Sequence, residues 1–80
     1  MRCVFQAMVY GQFERVLDRD VEVIPVVGAQ VSLTHKVEET TANGNEHRVT
    51  KTLDGTVDVV RYVYGLTAED DYVIVTIYRD

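Results

Sequence analysis

Residues able to carry out chemistry are scarce in this 80-residue chain. Cys3 is the only cysteine, so no disulfide can form within the chain, and the two histidines complete no Cys/His spacing typical of a zinc site. The five glycines are isolated from one another, which excludes a glycine-rich phosphate loop. No Ser/His/Asp or Cys/His pairing is supported. The sequence therefore predicts a protein that is not an enzyme and that binds no metal or cofactor.

Long apolar runs are also missing. No segment approaches the ~20 apolar residues of a membrane-spanning helix. The apolar stretch after Arg2 is too short and too mixed for a signal peptide. A lone cysteine indicates a reducing compartment, because small secreted domains usually carry paired cysteines. We therefore expect a cytoplasmic protein without a membrane partner, in which Cys3 is a buried small side chain near the start of a strand.

Acidic residues outnumber basic ones, and this bears on the choice of partner. The chain has 13 Asp and Glu against eight Lys and Arg, a formal net charge of −5. This charge disfavours nucleic acid, since non-specific binding needs a basic field that displaces counterions. It favours solubility and is compatible with binding to a basic surface of another protein.

The length predicts one domain, residues 1–80, with a thin core. A chain of this size buries only about 60–65% of the surface that its unfolded state exposes. Hydrophobic residues make up 46% of the chain, enough for dense apolar packing. Homo-oligomerisation would be an ordinary way to add burial.

The pattern of apolar residues is β from end to end. Val, Ile, Thr, Tyr and Phe occur in short alternating runs, which is typical of strands. Asp18-Arg19-Asp20 is predicted to hold a bend or bulge, Asp54-Gly55 a turn, and residues 67–71 one helical turn. We predict about six strands with these approximate ranges: 3–10, 13–24, 30–41, 45–53, 56–64 and 72–78.

Strands in sequence order joined by short turns indicate an all-β fold, an antiparallel meander. A small sheet must curl to bury its apolar face and protect its edges. We therefore predict a partly open barrel in the size range of SH3-like and OB-like barrels, with a projecting β-hairpin arm.

One hairpin can be placed in register by its own chemistry. A three-residue loop, Ala42-Asn43-Gly44 with Gly44 in the left-handed conformation, matches opposite charges and apolar pairs across the two strands. A two-residue loop would instead set Lys36 against Lys51, so the first register is preferred. Its predicted pairs are Thr41 with Asn45, Thr40 with Glu46, Glu39 with His47, Glu38 with Arg48, Val37 with Val49, and Leu33 with Leu53.

In this register one face of the hairpin is wholly polar, and burial on the other face fades toward the loop. Residues 35–51, called the arm below, are predicted to project by roughly 20 Å. Such an arm can be a long surface loop or a recognition or dimerisation element. Alternation also places three carboxylates, the acidic stripe, on one face of the second strand. The predicted protein-binding residues are Glu38, Glu39, Thr40, Asn43, Glu46, His47 and Arg48 of the arm, together with Asp18, Asp20 and Glu22 of the acidic stripe.

Two groups of residues are assigned no chemistry. His35 and His47 fall four residues apart along the hairpin, roughly 13 Å, which is too far for one metal ion. The tyrosines on the last two strands could stack bases, but packing with the hydroxyl toward water is the favoured interpretation.

The segment from Val21 to Leu33, with Ile24-Pro25-Val26-Val27-Gly28 at its centre, resembles a feature of small phage and prophage proteins. In these, a strand leads into a proline, a Val-Gly turn and a β-rich stretch that ends in a strand like 72–78. The resemblance covers about a third of the chain and implies a small barrel of mobile-element origin. It implies no functional residue, and the arm departs from it by being longer.

The leading hypothesis is a non-enzymatic protein-binding module, for instance a phage-encoded acidic inhibitor that occupies a basic surface of a protein in the host cytoplasm. The first alternative is an assembly component that homo-oligomerises through the arm or an edge strand. The second alternative is a nucleic-acid-binding barrel that uses the tyrosines.

Overall fold

The computed structural model describes residues 1–9 and 11–79, with only the backbone of Val9 described. Tyr10, the predicted end of the first strand, lies outside the described residues. Residues 68–70 form a single 3-10 turn within the segment 67–71, which was predicted to hold one helical turn. The strands are β1 (Arg2–Val9), β2 (Gln12–Asp20), β3 (Gln30–Thr40), β4 (Glu46–Val63) and β5 (Tyr72–Arg79).

The five strands form a nearly closed barrel in which most strands lie beside their neighbours in the chain. The sheet has the order β2-β1-β5-β4-β3, in which each strand pairs antiparallel with a sequence neighbour except where β1 meets β5. That pair is parallel. Because each strand runs opposite to the one before it, the first and fifth strands point in the same direction. They are therefore parallel where the barrel brings them side by side. The barrel stays open between β2 and β3, which confirms the predicted partly open all-β barrel.

The core lies on the inner face of this sheet. Alternate residues of β1 and β5 point inward, as expected for side chains that switch face at every position. Cys3 is fully buried, and this burial raises the pKa of its thiol. The buried core cluster consists of Cys3, Phe5, Ala7, Leu33, Val57, Val73, Val75 and Ile77.

The predicted turn at Asp54-Gly55 is wrong. β4 runs without interruption through both residues, so two predicted strands are one and the sheet has five strands. Gly55 is buried and pairs with Val31 on one side and Arg79 on the other. A Cβ atom there would overlap the side chain of Ile77 and the carbonyl oxygen of Tyr78. The glycine therefore serves a close approach of two backbones rather than a turn.

The predicted irregularity in β2 is present but displaced. Phe5 pairs with Leu17 while Gln6 pairs with Arg15, so Val16 is the extra residue of a bulge. It precedes Asp18, where the bend was expected. β2 also ends at Asp20 rather than near Ile24, and residues 22–23 form a bend.

Candidate functional site: the arm and the outer sheet face

The third and fourth strands form the predicted hairpin in the predicted register. Every pair from Leu33 with Leu53 to Thr40 with Glu46 is found. The amide of Gly44 donates to the carbonyl of Thr41 at 2.9 Å, and the amide of Thr41 donates to the carbonyl of Asn45 at 2.7 Å. Gly44 has a φ of 80°, the left-handed conformation that this loop requires.

The hairpin projects from the barrel. β5 ends its pairing with β4 at Gly55, so in residues 32–54 the two strands pair only with each other within the described chain. The molecule measures 46 × 29 × 24 Å with a radius of gyration of 14.5 Å. A compact 80-residue domain would have a radius of gyration of about 11.6 Å. The elongation confirms the projecting arm.

Burial fades along the arm as predicted. Leu33 at the base is buried, Val37 and Val49 are half-buried, and His47 near the loop is exposed. The opposite face is polar and open to solvent, with Thr34, Lys36, Glu38 and Thr40 beside Thr52, Thr50, Arg48 and Glu46.

Cross-strand polar pairs hold the arm. On the polar face, Nε of Arg48 lies 3.5 Å from Oε1 of Glu38. On the other face, Nζ of Lys51 lies 2.6 Å from Oε1 of Glu39. The hydrogen bond from Lys51 and its charge hold the pKa of Glu39 below its usual value. Exposed pairs of this kind contribute little to stability. They align the two strands without burying a core.

The structure brings only part of the predicted binding set together. Glu38, Glu39, Thr40, Asn43, Glu46, His47 and Arg48 all lie on the outer half of the arm. Asp18 and Asp20 lie on β2, which has no strand pairing with β3 in the described residues.

The straight acidic stripe is wrong in geometry, because Glu22 lies in the bend after β2. Asp18 is moreover engaged by two arginines, with Arg2 at 2.6 Å and Arg15 at 3.7 Å. The stripe is therefore not a row of free carboxylates.

Asp18 is expected to make folding sensitive to acid. The hydrogen bond from Arg2 holds the pKa of Asp18 below its usual value, helped by the charges of Arg2 and Arg15 and opposed by desolvation. A carboxyl with a lower pKa in the folded chain contributes stability above its unfolded pKa, about 4. That contribution is lost as the pH falls through the folded value. The Asp18→Asn variant should therefore be less stable than the native protein at pH 7 and approach it below about pH 4.

Urea unfolding of both proteins at pH 7 and pH 3 measures this difference. Asp20→Asn is the matched control, since Asp20 lies on the same strand and forms no ion pair among the described residues. A stability difference for Asp18→Asn that is equal at the two pH values would contradict the assignment.

The opening between β2 and the base of the arm is a cleft of about 690 Å³. Its apolar lining comes from Val16, Val37 and Leu53, and its charged lining includes Arg15, Lys51 and Arg79. β2 and β3 are the edges of the sheet, so their outward backbone groups have no strand partner in the described residues. Such edges can accept an added strand.

A row of large apolar side chains on the outer sheet face was missed by the sequence reasoning. Met8 pairs with Phe13 across β1 and β2, and Tyr78 lies at the adjoining position of β5. These three residues, called the outer-face row, are 46%, 57% and 68% exposed respectively. Alternation along β1 and β5 could have placed Met8 and Tyr78 on the outer face. Phe13 could be placed opposite Met8 only once the bulge at Val16 was known.

The outer face of β5 carries Tyr72, Ile74, Thr76 and Tyr78, because the residues between them are buried. The guanidinium carbon of Arg2 lies 5.6 Å from the centre of the Tyr72 ring. Tyr64 lies beyond the end of β4 and is 76% exposed.

The histidines and the acidic residues form no metal-binding group in the parts of the chain that the structure describes. His35 lies opposite Lys51 and His47 opposite Glu39, as the register predicts. Residues 1–9 and 11–79 contain no group of three His, Cys, Asp or Glu placed to hold a metal ion. Within the same residues no helix has the length and apolarity to cross a membrane.

Comparison with known proteins adds no family to this picture. No protein-family model, curated protein or solved structure matches the chain significantly.

Proposed function

We propose that this protein is a non-enzymatic protein-binding module whose binding element is the arm, residues 35–51. The observation that carries the proposal is the two-stranded ribbon of residues 32–54, which leaves the barrel with one fully solvated face and with edges that pair with no other strand of the described residues. A rigid scaffold that presents an exposed segment is the usual arrangement of a recognition site. Polar side chains on its faces and free backbone groups on its edges are both available to a partner.

The energetics of the arm support a role outside folding. Ordering a residue costs about 1–2 kcal/mol of backbone entropy, whereas cross-strand pairs return about 0.2–1 kcal/mol each. None of the buried core residues lies within the arm, and Leu33 precedes it on β3. Its removal should therefore leave the stability of the barrel nearly unchanged, which distinguishes it from the rest of the sheet.

The distribution of charge indicates the kind of partner. The arm contains three Lys and Arg and three Asp and Glu, so its formal charge is zero. The whole net charge of −5 therefore lies on the rest of the chain. Under this proposal the acidic barrel attracts a partner with a basic surface, and the arm supplies the specific contacts. A phage-encoded inhibitor of a basic host site is one protein that would fit this description.

Replacing residues 38–48 with a short turn should abolish partner binding and keep the fold. We expect the free energy of unfolding to change by no more than about 1 kcal/mol, since loop length has a weak effect on stability. Affinity capture from a bacterial lysate, with the intact and shortened proteins side by side, should retain a discrete protein on the intact chain alone. Its retention should weaken with added salt.

A second variant exchanges the charges of one ion pair, Glu38→Arg with Arg48→Glu. This variant keeps the arm length and its cross-strand pair but alters the surface that a partner meets. Loss of capture in both variants supports recognition by the arm. Capture of the same proteins by the intact and shortened chains, or of none by either, contradicts it.

A further inference from the structure

The barrel stays open along the seam between β2 and β3, and the cleft follows that seam. Its volume of about 690 Å³ lies within the range of ligand sites. A second depression of about 400 Å³ continues along the same two strands, with Leu17 on β2 and Leu33 on β3. Residues 14–16 lie beside residues 35–38 in the cleft, so the seam passes the base of the arm.

Backbone groups of β3 point into this seam. The amide of Thr41 donates to the carbonyl of Asn45, which makes these two residues a hydrogen-bonded pair. Hydrogen-bonded and non-hydrogen-bonded pairs alternate in an antiparallel ladder, so Thr34, Lys36 and Glu38 direct their amides and carbonyls away from β4. Within the described residues no strand pairs with these groups, and they can accept the backbone of an added strand.

We propose that the cleft binds an extended acidic segment of a partner protein, which adds to the edge of β3 as a further strand of the sheet. The main-chain hydrogen bonds of such a strand supply affinity, and its alternate side chains supply specificity. Binding at the cleft is independent of the proposed function, because nearly all of the cleft lining lies outside residues 38–48.

The charge of the cleft selects an acidic segment. Four Lys and Arg and two Glu line the cleft, so its formal charge is +2 on a protein whose net charge is −5. These residues are Arg15, Lys36, Lys51, Arg79, Glu14 and Glu38. A positive lining on an acidic protein attracts carboxylates and disfavours cationic segments.

Ion pairs within the chain leave part of this positive charge available to a ligand. Lys51 is already paired within the arm. Arg15 lies 3.7 Å from Asp18, which a second arginine holds more closely, so Arg15 can turn toward a ligand without leaving Asp18 unpaired. Lys36 and Arg79 form no ion pair among the described residues.

The same charges act against a second copy of this chain as the occupant. Joining two copies edge to edge at β3 would bring two positively charged linings together. Lysine on an edge strand is a common protection against such pairing. The lining therefore favours a partner of opposite charge over a second copy.

The apolar part of the lining defines a second feature of the segment. Val16, Val37 and Leu53 are half-buried and line the cleft. An added strand would place alternate residues over them and the residues between beside the polar face of the arm. The matching segment therefore has an apolar residue with a carboxylate two positions before it and another two positions after it, all on one face.

A seven-residue peptide with blocked ends, mixed with the full chain at low salt, tests this assignment. Its odd positions are Thr and its even positions are Glu, Val and Glu, so Val and both carboxylates share one face. The native protein should bind it saturably at concentrations up to about 1 mM. Replacing both Glu by Lys should weaken binding about tenfold or more. Methylating the backbone nitrogens of the odd or of the even positions should abolish binding in at least one case, because it removes the donors of one strand edge.

Variants of the protein locate the binding site. Lys36→Glu and Arg79→Glu should each weaken binding of the acidic peptide about fivefold or more. Arg61→Glu is the matched control, since it makes the same change in net charge but Arg61 lies on β4 outside the cleft lining. Its dissociation constant should stay within about twofold of the native value. An equal loss in all three variants would overturn the site, because only the total charge would then matter.

Amide hydrogen exchange identifies the strand edge. Bound peptide should slow exchange at Thr34, Lys36 and Glu38, whose amides point into the seam. A folded variant with residues 38–48 replaced by a short turn should still bind the peptide, which separates this site from the outer half of the arm. Absence of binding to the native protein, equal binding of the Glu and Lys peptides, loss of binding in that folded variant, or displacement of the peptide by single-stranded DNA of equal charge would each overturn the proposal.

Discussion

Replacing Ile77 with alanine is expected to lower the free energy of unfolding by about 2–5 kcal/mol. Ile77 is 1% exposed and is the largest of the fully buried side chains. It lies on β5 between Ala7 of β1 and Val57 of β4, where β5 pairs in parallel with β1 and antiparallel with β4. Truncation removes apolar contacts and leaves a cavity that a thin core cannot easily close.

The effect should be large relative to the whole stability of the protein. A domain of 80 residues is stable by about 4–12 kcal/mol, so Ile77→Ala approaches or crosses the limit of folding. Urea unfolding followed by circular dichroism measures the loss. Val59→Thr provides the comparison, since Val59 points outward from the same wall and should change stability by about 0.5 kcal/mol or less. Equal losses in the two variants would show that the core does not lie where the strand registers place it.

The hairpin could be predicted in residue detail because its information is local. A left-handed Gly44 fixes the loop, and the oppositely charged Glu38 and Arg48 lie opposite each other only in the three-residue register. Both signals are contained within a few residues of the turn. The fading burial of the arm followed from the same register without further information.

Closure of the barrel had no comparable signal. β1 and β5 pair in parallel although their residues are about 70 positions apart, as the Gln6–Thr76 hydrogen bond shows. Nothing local to either strand specifies that partner. The odd number of strands that makes this pair parallel became known only once Asp54-Gly55 was found inside a continuous β4.

The outer-face row was missed because one bulge changes which residues share a face. On an uninterrupted β2, Phe13 and Leu17 would point the same way, since they are four positions apart. The extra residue Val16 reverses that relationship, so Leu17 faces inward opposite Phe5 and Phe13 faces outward opposite Met8. Alternation alone therefore assigns Phe13 to the core, whereas it is 57% exposed.

Gly55→Ala is expected to destabilise the protein by about 3 kcal/mol, at the upper end of the range for overpacking. The added Cβ would overlap the Ile77 side chain and the backbone carbonyl of Tyr78. A side chain can change rotamer, but the Tyr78 carbonyl is fixed within β5 and moves only with the strand. The substitution should therefore weaken the pairing of β4 with β5 at the point where the ribbon leaves the barrel.

Gly44→Asn distinguishes this effect from a general cost of replacing glycine. Gly44 has a φ of 80° and no atoms near the position of a Cβ, and asparagine tolerates the left-handed conformation. The free energy of unfolding of the Gly44→Asn variant should stay close to that of the native protein. If Gly55→Ala is as stable as Gly44→Asn, then β4 and β5 do not approach closely at Gly55, and Asp54-Gly55 would again be better explained as a turn between two strands. A large loss at Gly55 alone places the root of the arm within a continuous β4, which is the geometry that holds the arm rigidly away from the barrel.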